Sequence, residues 1–169
     1  MKPGRVRVGG AAFGRPWHSR AVQLAATRGI ARPAAEVFAF LADASNNPRW
    51  QRGMVSCEWT SPRPIDIGST YRQTARFMGR TIRSTFEVTE FEPGRRIRIE
   101  TIESTFPIQV TRSVTPVDES SCQVSAEITG GPQGWMRLFS RLMARRAQRS
   151  VDADYDRLVG LLEGDPGEE

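Results

Sequence analysis

The sequence predicts an α+β fold in which a seven-stranded antiparallel sheet packs against one long C-terminal helix, with two short helices between strands one and two. Three observations carry this. Apolar and polar residues alternate with period two from Gly53 to Gly130, in runs of roughly eight to twelve residues divided by turn signals. Residues 133–163 have helical composition and no internal proline. Before the meander, Pro33 separates a first alternating run from a short apolar-striped segment.

The elements follow in order. Ala21 to Ile30 reads as a strand with Val22, Leu24 and Ala26 on one face. Pro33 suits a first helical turn, Glu36 meets the positive end of the helix dipole, and Val37, Phe38, Phe40 and Leu41 form an apolar stripe. Asp43 to Arg52 reads as a turn or a second short helix around Trp50. Six strands are then expected at Met54–Thr60, Ser69–Met78, Arg80–Phe91, Arg95–Glu103, Phe106–Val117 and Ser121–Thr129. Alternation puts Tyr71, Ala75, Phe77, Ile82, Phe86, Val88, Ile97 and Ile99 on one face, and residues such as Arg72, Arg83, Glu87 and Arg98 on the other, solvated one. The long helix, Gln133 to Glu163, covers the apolar face with Trp135, Leu138, Leu142, Val151, Tyr155 and Leu158 among its apolar positions. Its charged side, Arg137 to Arg149 followed by Asp152, Asp154 and Asp156, reads as solvated. Small residues at its middle, Ala144, Ala147 and Ser150, leave either a hollow over the sheet or close packing against large strand side chains.

At 169 residues the chain has room for one domain of ordinary size. No stretch approaches the roughly 18 apolar residues of a membrane span, and mean hydropathy is −0.44. The first twenty residues lack the apolar core of a secretory signal, so a cytoplasmic protein is expected. The net charge of +5 resides entirely in residues 1–20, with Lys2, Arg5, Arg7, Arg15 and Arg20 and no acid. The organisation expected is a basic disordered arm at 1–20, a domain at 21–163 and a short acidic tail at 164–169. Outside the arm, nineteen basic residues balance nineteen acidic ones, which argues against a nucleic-acid partner. Two cysteines, Cys57 and Cys122, and one histidine, His18 in the arm, offer no zinc set and no histidine-based nucleophile in the domain. No metal and no cofactor are expected.

The stretch ARPAAEVFAFLADASNNPRWQRGMVSCEW (31–59) joins a Pro-led helix ending near an Asp to a Pro-x-Trp element, Pro48-Arg49-Trp50, that leads into strand two. In GSTYRQTARFMGRTIRSTFEVTEFEPGRRIRIET (68–101), a Gly precedes strand three and Glu92-Pro93-Gly94 precedes strand five. Both stretches resemble the START-like (SRPBCC) superfamily, in particular its polyketide cyclase/dehydrase and lipid-transport branch. The resemblance covers about residues 21–163. It implies a helix-grip fold, a curved sheet wrapped around the C-terminal helix with a ligand cavity between them. Its members include ligand carriers, aromatase/cyclases and hydrolases.

With the cavity implied there, the inward-facing alternation nominates Tyr71, Gln73, Phe77, Ser84, Phe86, Ile99, Thr101, Ile108, Val110 and Arg112 from the strands, and Leu142, Ala147 and Val151 from the helix. Arg112 falls in phase with apolar neighbours. Turned inward, its guanidinium needs an acidic partner, water or an anionic ligand; at a strand end or a bulge it reaches solvent instead. Trp50 either flanks the pocket mouth or packs beneath the second helix. The expected function is binding of a small hydrophobic or amphipathic molecule: a lipid, a polyketide or an aromatic metabolite. The alternative is a cyclase/dehydrase-type enzyme with Tyr71 and Arg112 as the groups assisting proton transfer. A protein- or RNA-interaction module, resting on the basic arm, is a third reading.

Overall fold

The computed structural model describes residues 22–77, 79–105, 107–130 and 140–164. The basic arm, the first residues of the expected C-terminal helix and most of the acidic tail lie outside them. The elements are β1 (Val22–Ile30), α1 (Ala34–Ala42), a 3-10 turn (Ala44–Asn46), α2 (Asn47–Trp50), β2 (Met54–Trp59), β3 (Thr70–Phe77), β4 (Arg80–Glu92), β5 (Arg96–Glu103), β6 (Ile108–Pro116), β7 (Cys122–Gly130) and α3 (Ser140–Glu163). No helix among the described residues is long and apolar enough to cross a membrane.

The seven strands form one antiparallel sheet in the order β1-β7-β6-β5-β4-β3-β2. Six of them are a meander, and β1 closes onto β7 with Ala26 opposite Ala126. Register shifts between Met54 and Ser56, Thr85 and Phe86, and Val88 and Glu90 add local twist and curl the sheet toward its apolar face. That face carries Ala26, Ile30, Tyr71, Phe86, Val88, Ile97, Ile99, Val114, Val124 and Ala126, all buried. Pro33 stands one position earlier than expected, as the cap rather than the first turn of α1. Its extended ψ of 137° sets the entry angle, and its carbonyl accepts from Glu36 and Val37 at 3.1 and 3.2 Å. The second helix is a single turn after a 3-10 turn, and it ends by burying Trp50.

Polar bonds fasten helix α3 in two places, along the edge strand β1 and at α2 with the loop that follows it. At the β1 edge, the Gln148 side-chain amide donates to the Ala25 carbonyl (2.7 Å) and accepts from the Ala25 amide (3.2 Å), so it satisfies the edge backbone as a neighbouring strand would. Arg28 pairs with Asp156 at 2.7 Å and with Asp152 at 3.5 Å. At α2 and the loop after it, Asp154 accepts from the Arg52 amide (2.9 Å) and Arg157 donates to the Trp50 carbonyl (2.6 Å). The acidic row Asp152, Asp154 and Asp156 is therefore a set of intramolecular fastenings and not the purely solvated face expected from composition. The sequence pattern carried their spacing but not their partners. Between the fastenings Tyr155 and Leu158 are driven into the core.

The turn from α2 into β2 depends on Gly53. Its φ is +87°, and a Cβ there would stand 2.9 Å from the Arg76 carbonyl oxygen. Gly94, at φ +78°, has nothing within 4 Å of an added Cβ. Gly94→Ala should therefore lose only the backbone term, of order 1–3 kcal/mol for a non-glycine held in the left-handed region. Gly53→Ala should lose more, because the Arg76 strand must also shift. Urea unfolding of the two variants checks this ordering.

Candidate functional site

Arg112 lies on β6 opposite Ile97 of β5, and the sheet has no bulge there to turn it outward. It points into the core and is only 6% exposed. Of the two readings the sequence left open, the inward one holds. Nη1 donates to the Leu41 carbonyl (3.0 Å) and to the Asn47 side-chain oxygen (3.2 Å). Leu41 lies in the last turn of α1, where carbonyls lack intrahelical partners and the dipole favours a cation; α1 has no basic residue of its own there. The guanidinium also stands 5.1 Å from the centre of the Trp50 ring, within cation–π range. No Asp or Glu among the described residues makes an ion pair with it. Arg112 is thus a buried cation held by neutral groups.

Beside it, Trp59, Tyr71 and Phe86 form a row across β2, β3 and β4. Tyr71 and Phe86 stack at 5.2 Å and 8°, and Trp59 tilts against Tyr71 at 5.2 Å. Asp43 anchors the outer end: it accepts from the Trp59 indole (2.8 Å) and pairs with Arg63 (2.7 Å), while also capping the 3-10 turn through Ser45. Burial pushes the Asp43 carboxyl up, but the bonds from Ser45, Trp59 and Arg63 outweigh it and hold its pKa down to about 2.

Trp59 and Tyr71 of the row border, with Arg112, a void of about 10 Å³, lined also by Leu41, Ala42, Ala44, Ile97, Ile99 and Val110. That is room for about one water molecule. The Tyr71 hydroxyl and the Arg112 Nε are both buried without a hydrogen-bond partner in the protein. Of the lining side chains, only Trp59 and Val110 are half-buried; the rest are buried. Burial raises the Tyr71 hydroxyl pKa well above its usual value despite the opposing charge of Arg112. Burial likewise pushes the Cys57 thiol up to about 11, against the Asn47 hydrogen bond and Arg112. Tyr155 is raised by burial too.

The nominated residues divide accordingly. Tyr71, Ile99, Val110 and Arg112 meet at the void. Phe86 is buried behind Tyr71. Trp50 is 1% exposed and packs edge-on against Tyr155 at 5.1 Å, so it lies within the core beneath α2 and flanks no mouth. Ser84 and Thr101 have partners already: Ser84 shares a hydrogen bond with Ser104 (2.8 Å), and Thr101 accepts from the Ile108 amide (2.9 Å). Gln73 accepts a weak bond from Cys57 (3.8 Å), and Ile108, Ala147 and Val151 are half-buried. The side chains of Phe77 and Leu142 lie outside the described residues. The sequence reading missed Asn47 and Asp43. Asn47 sits in a polar run beside Pro48 that reads as capping, so nothing in the pattern marked it as buried.

A larger open depression, about 430 Å³, is bordered by Ser56, Glu58, Arg72, Gln73, Thr74, Arg83, Ser84, Thr85 and Glu103, so two of the nominated residues, Gln73 and Ser84, lie at it and not at the void. Its wall is polar and charged. Among the described residues no group of three His, Cys, Asp or Glu side chains is placed to hold a metal ion.

Residues 21–163 match the family described as polyketide cyclase / dehydrase and lipid transport. The chain belongs to that family. Solved structures agree on the fold. The protein TTHA0849 from Thermus thermophilus has a TM-score of 0.71 at 20% identity, over 83% of this chain and 96% of its own. The Zhui aromatase/cyclase from a Streptomyces species has 0.69 at 17% identity, over 85% and 94%. A START superfamily protein from Mycobacterium smegmatis has 0.65 at 15% identity, over 83% and 97%. No curated protein matches. In this member of the polyketide cyclase / dehydrase and lipid transport family the sheet curls toward a C-terminal helix, as the family resemblance implied.

Asp43→Asn should lower the melting temperature near neutral pH by breaking the link from α1 to Trp59 and Arg63. Because the folded carboxyl titrates below the ordinary value of about 3.9, its contribution is complete above that pH and is lost as pH falls toward about 2. The gap between wild type and variant should therefore close between about pH 4 and pH 2 in thermal melts.

Proposed function

We propose that this protein binds a small hydrophobic or amphipathic molecule between the inner face of the sheet and α3. The observation that carries the reading is the uneven sealing of that inner face. Where α1, α2 and the C-terminal part of α3 pack, its side chains are buried; toward Ala75, Ile82, Ile108 and Val110 they are only half-buried. Val110 joins this apolar stretch to the void beneath Arg112. Family membership supports a hydrophobic ligand of the lipid or polyketide kind. The charged depression bordered by Arg72 and Glu103 lacks the apolar lining that such a ligand needs.

A cyclase-type enzyme is the second reading, favoured by the placing of Tyr71 and Arg112 at one void. Binding without turnover leads because proton transfer needs a group that titrates near neutral pH. Burial keeps both Tyr71 and Cys57 protonated there. The inner face among the described residues offers no carboxylate and no histidine in their place.

Titration with the neutral probe N-phenyl-1-naphthylamine tests the binding reading. Saturable fluorescence enhancement at one site is expected in the wild type. Val110→Trp, which fills the approach from a half-buried position, should weaken it about tenfold or more, with an unchanged melting temperature. Absence of saturable binding, or equal binding by a folded Val110→Trp variant, would contradict the reading.

A further inference from the structure

The buried guanidinium has no counter-charge, and that bears on what the site binds. Taking a cation out of water is costly unless it is paired or well hydrogen-bonded. Arg112 gains two bonds from neutral oxygens and the face of Trp50. Its Nε hydrogen is left without a partner in the protein. Tyr71, 1% exposed, lines the same water-sized void, and its hydroxyl is likewise buried without a partner. Two residues that line a space large enough for one oxygen atom thus each carry an unsatisfied polar atom, a nitrogen that can only donate and a hydroxyl that can donate or accept. The remaining wall is Trp59, whose indole N–H is already bonded to Asp43, and the apolar side chains of Leu41, Ala42, Ala44, Ile97, Ile99 and Val110.

Water satisfies the two donors but leaves the charge uncompensated. An oxyanion satisfies both requirements, because hydrogen bonds between ionised partners are roughly twice as strong as neutral ones. We propose that Arg112 and Tyr71 form the head-group subsite for an acidic ligand, a carboxylate or enolate whose oxygen takes the place of a water in the void. The apolar part of the ligand lies along Ile99, Val110 and Ile108. The charge-bearing end enters first and lies deepest, under α1. This rests on the binding function proposed above and narrows its ligand to amphipathic acids.

Matched pairs of competitors against bound N-phenyl-1-naphthylamine test it: decanoate against 1-decanol, and 1-naphthoate against 1-naphthalenemethanol. In the wild type each acid should displace the probe at a concentration about tenfold or more below that of its alcohol, since hydrogen bonds to a charged group are the stronger class. Arg112→Met should abolish the preference, and Tyr71→Phe should reduce it while still binding the neutral probe. Arg112→Met strands the Leu41 carbonyl and Asn47; if it fails to fold, Tyr71→Phe and Arg112→Lys decide. Equal displacement by acids and alcohols in the wild type overturns the acidic subsite and leaves the binding function intact. A preference that persists unchanged in the folded variants overturns it too. Failure of the wild type to bind the neutral probe overturns the binding function and this inference together.

Discussion

Everything near the site is arranged around one guanidinium that the sheet sends into the core. Arg112 reaches from the middle of β6 to the last turn of α1, and its Nη1 joins a helix-end carbonyl to the side chain that opens α2. A helix terminus buried against a sheet leaves carbonyls that must be satisfied. The cation does this at the negative end of the α1 dipole, where it is also electrostatically favoured. Trp50 then closes over the guanidinium, and Tyr155 of α3 packs against Trp50. Sheet, both short helices and the long helix therefore meet at a single residue.

The long helix complements this with a different kind of bond. Its core contribution in the described part is short, chiefly Tyr155 and Leu158, while its polar side chains fasten backbone groups of β1, of α2 and of the loop before β2. The Gln148 amide occupies the Ala25 backbone groups that an edge strand would otherwise leave open. Close packing is concentrated at one end of the inner face, and the other end is left to half-buried apolar side chains.

The element order was legible in the sequence because each signal is local. Period-two alternation located β3 to β7 to within a few residues, and the apolar stripe located Tyr155 and Leu158. The site was only half legible. Alternation put Arg112 in phase with Val110 and Val114, but phase alone does not say whether an arginine reaches solvent. The missing information was the partner, and the partners are Leu41 and Asn47, separated from Arg112 by 71 and 65 positions. Asn47 sits in the run Asp43 to Pro48, whose composition signals turns whether or not one of its side chains is buried. The sequence likewise leaves Trp50 between a pocket mouth and packing beneath the second helix, and the second holds, with the chain reversal at Gly53 and the Arg157 bond to its carbonyl keeping it inside.

Whether the interior guanidinium is charged and shielded from water can be read from hydrogen exchange at the Arg112 Nε. In a nitrogen–proton NMR spectrum of the full chain near pH 7, one arginine Nε–H resonance should persist that exposed arginines lose to exchange with water, and Arg112→Lys should remove it. A spectrum in which no arginine Nε–H is protected, or in which the protected resonance survives Arg112→Lys, would contradict the account.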